Sequence, residues 1–299
     1  MVGASVAVGT HTHTVSGATV GSVTFPICSR KAQAHIERGL AMFHSFLFDD
    51  AELQFKTAAN LDGGCAMAYW AEAIGLYRPL AYQPSADDVK RGWELLQRAV
   101  QLGAKTQRER DYLHAAEILY RPDVRDYATR NHDYSAYLRK MYQEYPGDTE
   151  AAVFYSLSLL TFAASGHPFQ DAEKAIAILN PIFAAHPDHP GVAHYIIHAA
   201  DNPQLASRGL SAAREYAQIA PSAPHAVHMP SHIFARLGFW RKDIESNLAS
   251  LHAAQNPSTV HAVAENQLHA MDFLEYAYLQ IGENEKARAM LEKGREDPL

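Results

Sequence analysis

The sequence predicts an all-α fold, an α-solenoid of about seven antiparallel helix pairs. Three observations lead there. Apolar residues recur at helical spacing from about residue 30 onward, while strand-like alternation nearly vanishes after the N-terminal stretch. The helical stretches come in pairs, broken by Pro, Gly, Asp and Asn. The pairs recur at about 34–45 residues, the spacing of helical repeat arrays.

Each pair is delimited by its breakers. The first runs 30–46 and 49–61 and stops at Gly63. The second, 65–77 and 86–102, opens on the apolar run GGCAMAYW, turns at Pro84 and closes at Gly103. The third, 106–120 and 124–144, is split by Pro122 and ended by Pro146. The fourth, 148–164 and 170–186, ends at Pro187. The fifth, 190–201 and 204–219, turns at Pro203 and ends at Pro221. In the sixth, 230–237 and 240–255, Pro230 takes the first helical position and Gly238 makes the turn. The seventh, 262–281 and 284–296, turns at Gly282. Residues 1–29 read as an extended N-terminal arm and 30–299 as one repeat domain.

Composition narrows the function classes. The chain has 299 residues, of which 47% are hydrophobic, enough for a continuous core. Net charge is −7 and no long basic block occurs, which argues against nucleic acid and anionic membrane as partners. No apolar run approaches the ~18 residues of a membrane span. The first 22 residues lack a basic segment followed by a firm apolar one, so they do not read as a signal peptide. As written the chain is cytoplasmic, or exported if a leader has been removed. Two cysteines, Cys28 and Cys65, are too few for a disulfide framework. Cys65 reads as a buried thiol on an apolar helix face, and Cys28 as a loop residue.

A family resemblance rests on particular residues. Gly39, Ala51, Phe55 and Ala58 fall at the small and aromatic positions of a tetratricopeptide repeat, as do Leu274, Tyr278, Ala287 and Leu291 in the last pair. Ala175 with Pro187, and Ala212 with Pro224, give poorer matches in the fourth and fifth pairs. The chain therefore resembles a tetratricopeptide-repeat (TPR) protein with degenerate repeats. CAMAYW, HPGVAHYIIHAADNP and APHAVHMPSHIF resemble a bacterial group of such proteins over most of residues 23–282. The resemblance implies the fold and no particular reaction.

Histidine carries the chemistry. Ten of the 17 histidines fall in the last 114 residues, several in close-set pairs. His194 and His198 lie one turn apart on one helix face, where neutral imidazoles can chelate an ion. Tyr195 follows the first of them where a zinc protease requires Glu, so no protease is implied. His228 sits just before the first helix of the next pair and His232 in its first turn, with Pro230 between them and His225 in the loop before. Neighbouring first helices stand about 8–10 Å apart. His194, His198, His228 and His232 are thus expected to meet on one ion, with His269 as a fifth candidate. The alternative reading leaves them as satisfied helix and loop histidines.

An all-imidazole set suits copper, zinc, iron or nickel and suits calcium or magnesium badly. Glu72, Tyr195 and Asp201 are the candidate catalytic groups. Asp201 could accept a proton from a ligand imidazole, although capping the next segment is the reading its position favours. His44, Tyr69, Trp70 and Tyr155 are candidates to line a substrate pocket; His44 reaches it only if the array curls tightly. Glu265, Asp272 and Glu275 near His269 are further acidic candidates that solvated helix charges explain equally well.

Three functions follow. The first is a metalloenzyme on the inner wall of the solenoid, acting on a small organic substrate, with redox chemistry slightly favoured because no Glu sits inside either His pair. The second is a scaffold that binds a peptide or protein along the groove. The third is metal storage or delivery through exposed ligands including His11, His13 and Met229. No phosphate loop, GxSxG elbow or CxxC appears, so nucleotide cofactors and serine-hydrolase chemistry are unsupported.

Overall fold

The computed structural model describes residues 18–161, 169–255 and 263–296. Every regular element among them is helical. The pairs are α1 (Gln33–His44) with α2 (Phe48–Leu61), α3 (Ala66–Gly75) with α4 (Ala86–Leu102), and α5 (Gln107–Tyr120) with α6 (Tyr127–Glu144). There follow α7 (Thr149–Leu160) with α8 (Phe169–Ala185), and α9 (Pro190–Ala200) with α10 (Leu210–Ile219) behind a short 3-10 turn. The chain continues through α11 (Pro224–His228), α12 (Pro230–Arg236) and α13 (Trp240–Ala253), and closes with α14 (Val263–Gln280) and α15 (Asn284–Glu296). Consecutive helices pack on one another throughout, giving a TPR-like α-solenoid.

Local chemistry sets the helix starts. Ser85 and Thr106 each accept from the backbone N–H three residues on, while Asp88 and Glu109 reach back to the cap N–H. Asp126 and Asp148 cap α6 and α7 by the first half of that arrangement. Close helix approach is set by glycine against an aromatic ring. A Cβ on Gly39 would fall 2.3 Å from the Phe55 ring, and one on Gly92 would fall 2.5 Å from the Tyr120 ring. The first of these is the small-against-aromatic contact that the TPR resemblance implies.

Two helices are interior. Every residue of α7 from Glu150 to Leu160 is buried, as is all of α9 except His198. A helix apolar on all sides belongs inside a larger body. It is inside because the array curls: α1 packs on α9, bringing the first pair against the fifth. Residues 18–29 strap this arrangement. The Ser22 N–H donates to the Asp188 carbonyl at 3.1 Å, and the Ser222 N–H to the Thr19 carbonyl at 3.2 Å. Phe25 stacks on Trp70 at 5.0 Å, and the Arg108 guanidinium lies over the Phe25 ring at 4.5 Å while clamping Asp148 at 2.6 and 3.1 Å. One buried core runs from Val20 to Phe234, with a smaller one around Leu274, Tyr278 and Ala287.

The sixth pair departs from the sequence reading. Its first helix begins earlier, because Pro224 opens a helical turn where a loop is expected. Met229, at φ −51° and ψ −35°, then carries helical backbone from α11 into α12. Residues 1–17 of the arm, including His11 and His13, lie outside the described residues, as do His167, His261 and the side chain of Glu265.

Candidate metal centre

Three helical segments deliver six imidazoles. His194 and His198 project from α9 at the i, i+4 spacing that stacks side chains on one face. His225, His228 and His232 follow one another along the α11–α12 run, which Pro230 tightens without reversing. His269 comes from α14, which packs on α11.

The six fall into two sets of three. In the first, His194 Nε2 lies 2.9 Å from His198 Nε2 and 3.0 Å from His225 Nε2. In the second, His228 Nε2 lies 2.9 Å from His232 Nε2, and the His269 ring stands 4.6 Å from that of His228. Within each set the ligand nitrogens lie within 4.8 Å of one another. The expected single focus of His194, His198, His228 and His232 is thereby corrected: each HxxxH pair closes with its own third imidazole. His225 is the one that sequence reasoning missed, since a histidine after proline looked like loop decoration. His194 and His228 are buried, His198, His225 and His232 are half-buried, and His269 is exposed, so the cluster has one open side.

The far nitrogens fix the tautomers. His194 Nδ1–H donates to the His44 carbonyl at 2.6 Å, and His228 Nδ1–H to Asn247 Oδ1 at 2.5 Å. His232 Nδ1–H donates to Asp201 Oδ2 at 2.8 Å. Asn247 is oriented in turn by donating its amide to Asp243, at 2.7 Å to the side chain. With Nδ1 protonated, a neutral ring presents a bare lone pair at Nε2. Burial, then the neighbouring imidazoles, pushes His194 and His228 well below the ordinary histidine pKa. His269, although it keeps a solvent-facing side, is lowered by the protein that partly desolvates its ring and then by His232. Two lone pairs facing at 2.9 Å repel, and a cation at their focus converts that repulsion into binding.

A phenyl ring covers each set. Phe46 stacks on His225 at 4.9 Å and meets His194 edge-on at 4.5 Å. Phe273 contacts His228, His232 and His269 at 4.9, 4.7 and 5.2 Å. Phe46 has φ 58°, a left-handed conformation that bulky residues rarely adopt. The Leu47 N–H reaches the Met42 carbonyl and the Phe46 N–H that of Phe43. That is a Schellman ending of α1 with phenylalanine where glycine ordinarily sits.

Asp201 ends α9, accepts from His232 and also holds Arg236 at 2.8 Å. Burial alone would raise its carboxyl, but His232 and Arg236 outweigh that and hold it well below the usual range.

The remaining candidates sit elsewhere. Glu72, Tyr69 and Trp70 lie on α3, which packs on α1, α2, α4 and α5 and not on the histidine helices. Trp70 is core, between Phe25, Tyr112 and Phe154, and Glu72 is buried on the same helix, where burial raises its carboxyl. Tyr69 is half-buried, its hydroxyl 3.4 Å from the Gly63 carbonyl. Tyr155 is buried and stacks on Tyr142. The rings of Trp70 and Tyr155 contact other aromatic rings, the usual packing use of large aromatics. Met229 is fully buried and cannot serve as an exposed ligand. Cys28 is exposed and Cys65 buried, both as free thiols.

Tyr195 and His44 belong to a support behind the first set. Tyr195 shares a 2.8 Å hydrogen bond with His44 Nδ1, and its ring stacks on His194 at 5.2 Å. His44 Nε2–H donates to Glu150 at 2.9 Å, and His189 Nε2–H donates to the other carboxylate oxygen at 2.6 Å. All four residues are buried, so the substrate-contact role of His44 and the catalytic role of Tyr195 give way to positioning His194. Burial would raise Glu150, but the two imidazoles outweigh it and hold the carboxyl well below the ordinary range.

No protein-family profile matches the chain, and no curated protein matches it by sequence. Among solved structures it is similar to YrrB, described as a TPR protein with an unusual peptide-binding site: 14% identity over 66% of this chain and 90% of YrrB, TM-score 0.34. It is similar to the human IFIT1 dimer with PPP-AAAA at 11% identity over 89% of this chain and 72% of that one, TM-score 0.43. It is also similar to a MamA double mutant at 13% identity over 75% and 95% of the two chains, TM-score 0.27.

Proposed function

We propose that this chain is a metal-dependent enzyme in which a TPR-like solenoid holds a transition metal through imidazoles and acts on a small organic substrate. One observation carries the reading. His228 and His232 both donate from Nδ1, yet their Nε2 atoms face each other at 2.9 Å. Neutral rings so placed repel, so the pair calls for a cation at its focus: a metal ion, or else a proton on a His232 held as imidazolium by Asp201, which the element analysis below distinguishes. Support behind the rings is of the kind metal ligands have: a backbone carbonyl, an asparagine and an ionised aspartate each orient one imidazole. Ligands about 2.0–2.1 Å from an ion and at right angles to one another stand about 2.9 Å apart, so the spacing suits tetragonal copper better than tetrahedral zinc. The absence of a carboxylate from either set of three favours redox over hydrolytic chemistry.

The fold supports a second reading, a scaffold that docks a peptide on its helix pairs. YrrB, described by its peptide-binding site, has that architecture. In this reading the imidazoles clamp the sixth pair to the fifth. The net charge of −7 still argues against nucleic acid as the ligand.

Element analysis of protein purified without a histidine tag, beside His198→Ala and His232→Ala, tests the metal. Metal in the parent chain and less in both folded variants is the expected result. Equal content in all three removes the site and leaves the scaffold. An enzyme further requires that removing metal abolish turnover of a small substrate while the melting curve persists.

A further inference from the structure

The two sets of three imidazoles have the same plan. Each combines an i, i+4 pair on one helical run, a third imidazole from another turn or helix, and one phenyl ring over the group. They also adjoin. His225 and His228 are three residues apart on one helical turn, their ring centroids 6.2 Å apart, and His198 and His232 are 6.5 Å apart. Asp201 ties the sets together, ending the helix of His194 and His198 while accepting from His232. The Nε2 spacings pair His194 with His198 and His225, and His228 with His232.

We propose that the cluster holds two transition-metal ions side by side, one in each set of three. This rests on the metal-centre reading above and deepens it. Three ligands per ion leave each with an open position, which a ligand shared between the two ions can fill. Two-metal sites work at about 3.5–4 Å separation because one oxygen ligand can bridge both ions. Six neutral imidazoles bring no negative charge, so a bridging hydroxide or other small oxygen anion offsets the repulsion between the ions. Asp201 adds a fixed negative charge at the edge. The sites are equal in ligand number and unequal in exposure, since His269 is exposed while every imidazole of the first set is at least half-buried. The second site therefore exchanges its ion faster.

The test uses the full chain without a tag, loaded with copper(II) and freed of excess. Copper per chain is measured by element analysis and unpaired spins by electron paramagnetic resonance. His225→Ala and His269→Ala each remove one ligand from one set, and circular dichroism confirms that both variants fold. The expected result is two coppers per chain with most of the spin signal lost through coupling. Each variant should hold one copper and regain the signal of an isolated ion. Zero copper overturns the metal centre altogether. One copper in the parent chain overturns the pair and leaves the single-ion reading standing. Two coppers with full, uncoupled intensity overturn the side-by-side placement.

Discussion

Asp243 shows how far the support of one imidazole extends. It is fully buried, one carboxylate oxygen accepts from Asn247, and the other has no partner among the described residues. Burial pushes its carboxyl up to about 7 against the opposing Asn247 hydrogen bond. A carboxyl raised on folding stabilises the fold while protonated, below its unfolded pKa near 4, and that stability is lost as pH rises toward 7. Asp243→Asn removes the titration and keeps an acceptor for Asn247. Parent and variant should melt together near pH 4 and diverge up to about pH 7, the variant ending on the order of 2–4 kcal/mol more stable. Chemical denaturation across that range measures it, and parallel curves would refute it. Asn247 gave no sequence signal for its role, because an asparagine on an outer helix looks like any solvated residue. His194, His198, His228, His232 and His269 were legible through their i, i+4 spacing and helix placement. Phe46 was not, since nothing in SFLF announces a left-handed phenylalanine.

Helices were legible almost to their ends, because proline and glycine mark joints by removing a donor or a Cβ. The miss was α11. Pro224, three residues after the breaker Pro221, resembled loop punctuation, yet proline at a first helical position opens a helix as readily as it ends one. That misreading left His225 out of the first set. Contacts between helices were legible where a small residue faces a ring. Gly92 gains about 1 kcal/mol of helix propensity on changing to alanine. The new Cβ would meet a Tyr120 ring whose hydroxyl is held by the Ala73 carbonyl at 2.7 Å, so the ring cannot yield. Overpacking costs about 1–3 kcal/mol. Gly92→Ala should therefore lower the melting temperature, and a rise would show that α4 moves freely against α5.

Closure of the array decides what the whole molecule can do. Nothing local in the sequence says that α1 meets α9, because that contact joins segments about 150 residues apart. Its consequence is that His44, Glu150, His189 and Tyr195 form a buried brace behind His194. The curl also explains why aromatics expected at a groove are core instead, as with Trp70 and Tyr155. The imidazole cluster then occupies the part of the solenoid where the fifth, sixth and seventh pairs meet, open on the His269 side. X-ray absorption at the copper edge of the loaded, untagged chain tests this account most directly. It predicts a first shell dominated by nitrogen with the outer-shell scattering of several imidazoles per ion. A shell of oxygen without imidazole scattering, or a chain that takes up no copper, would contradict it.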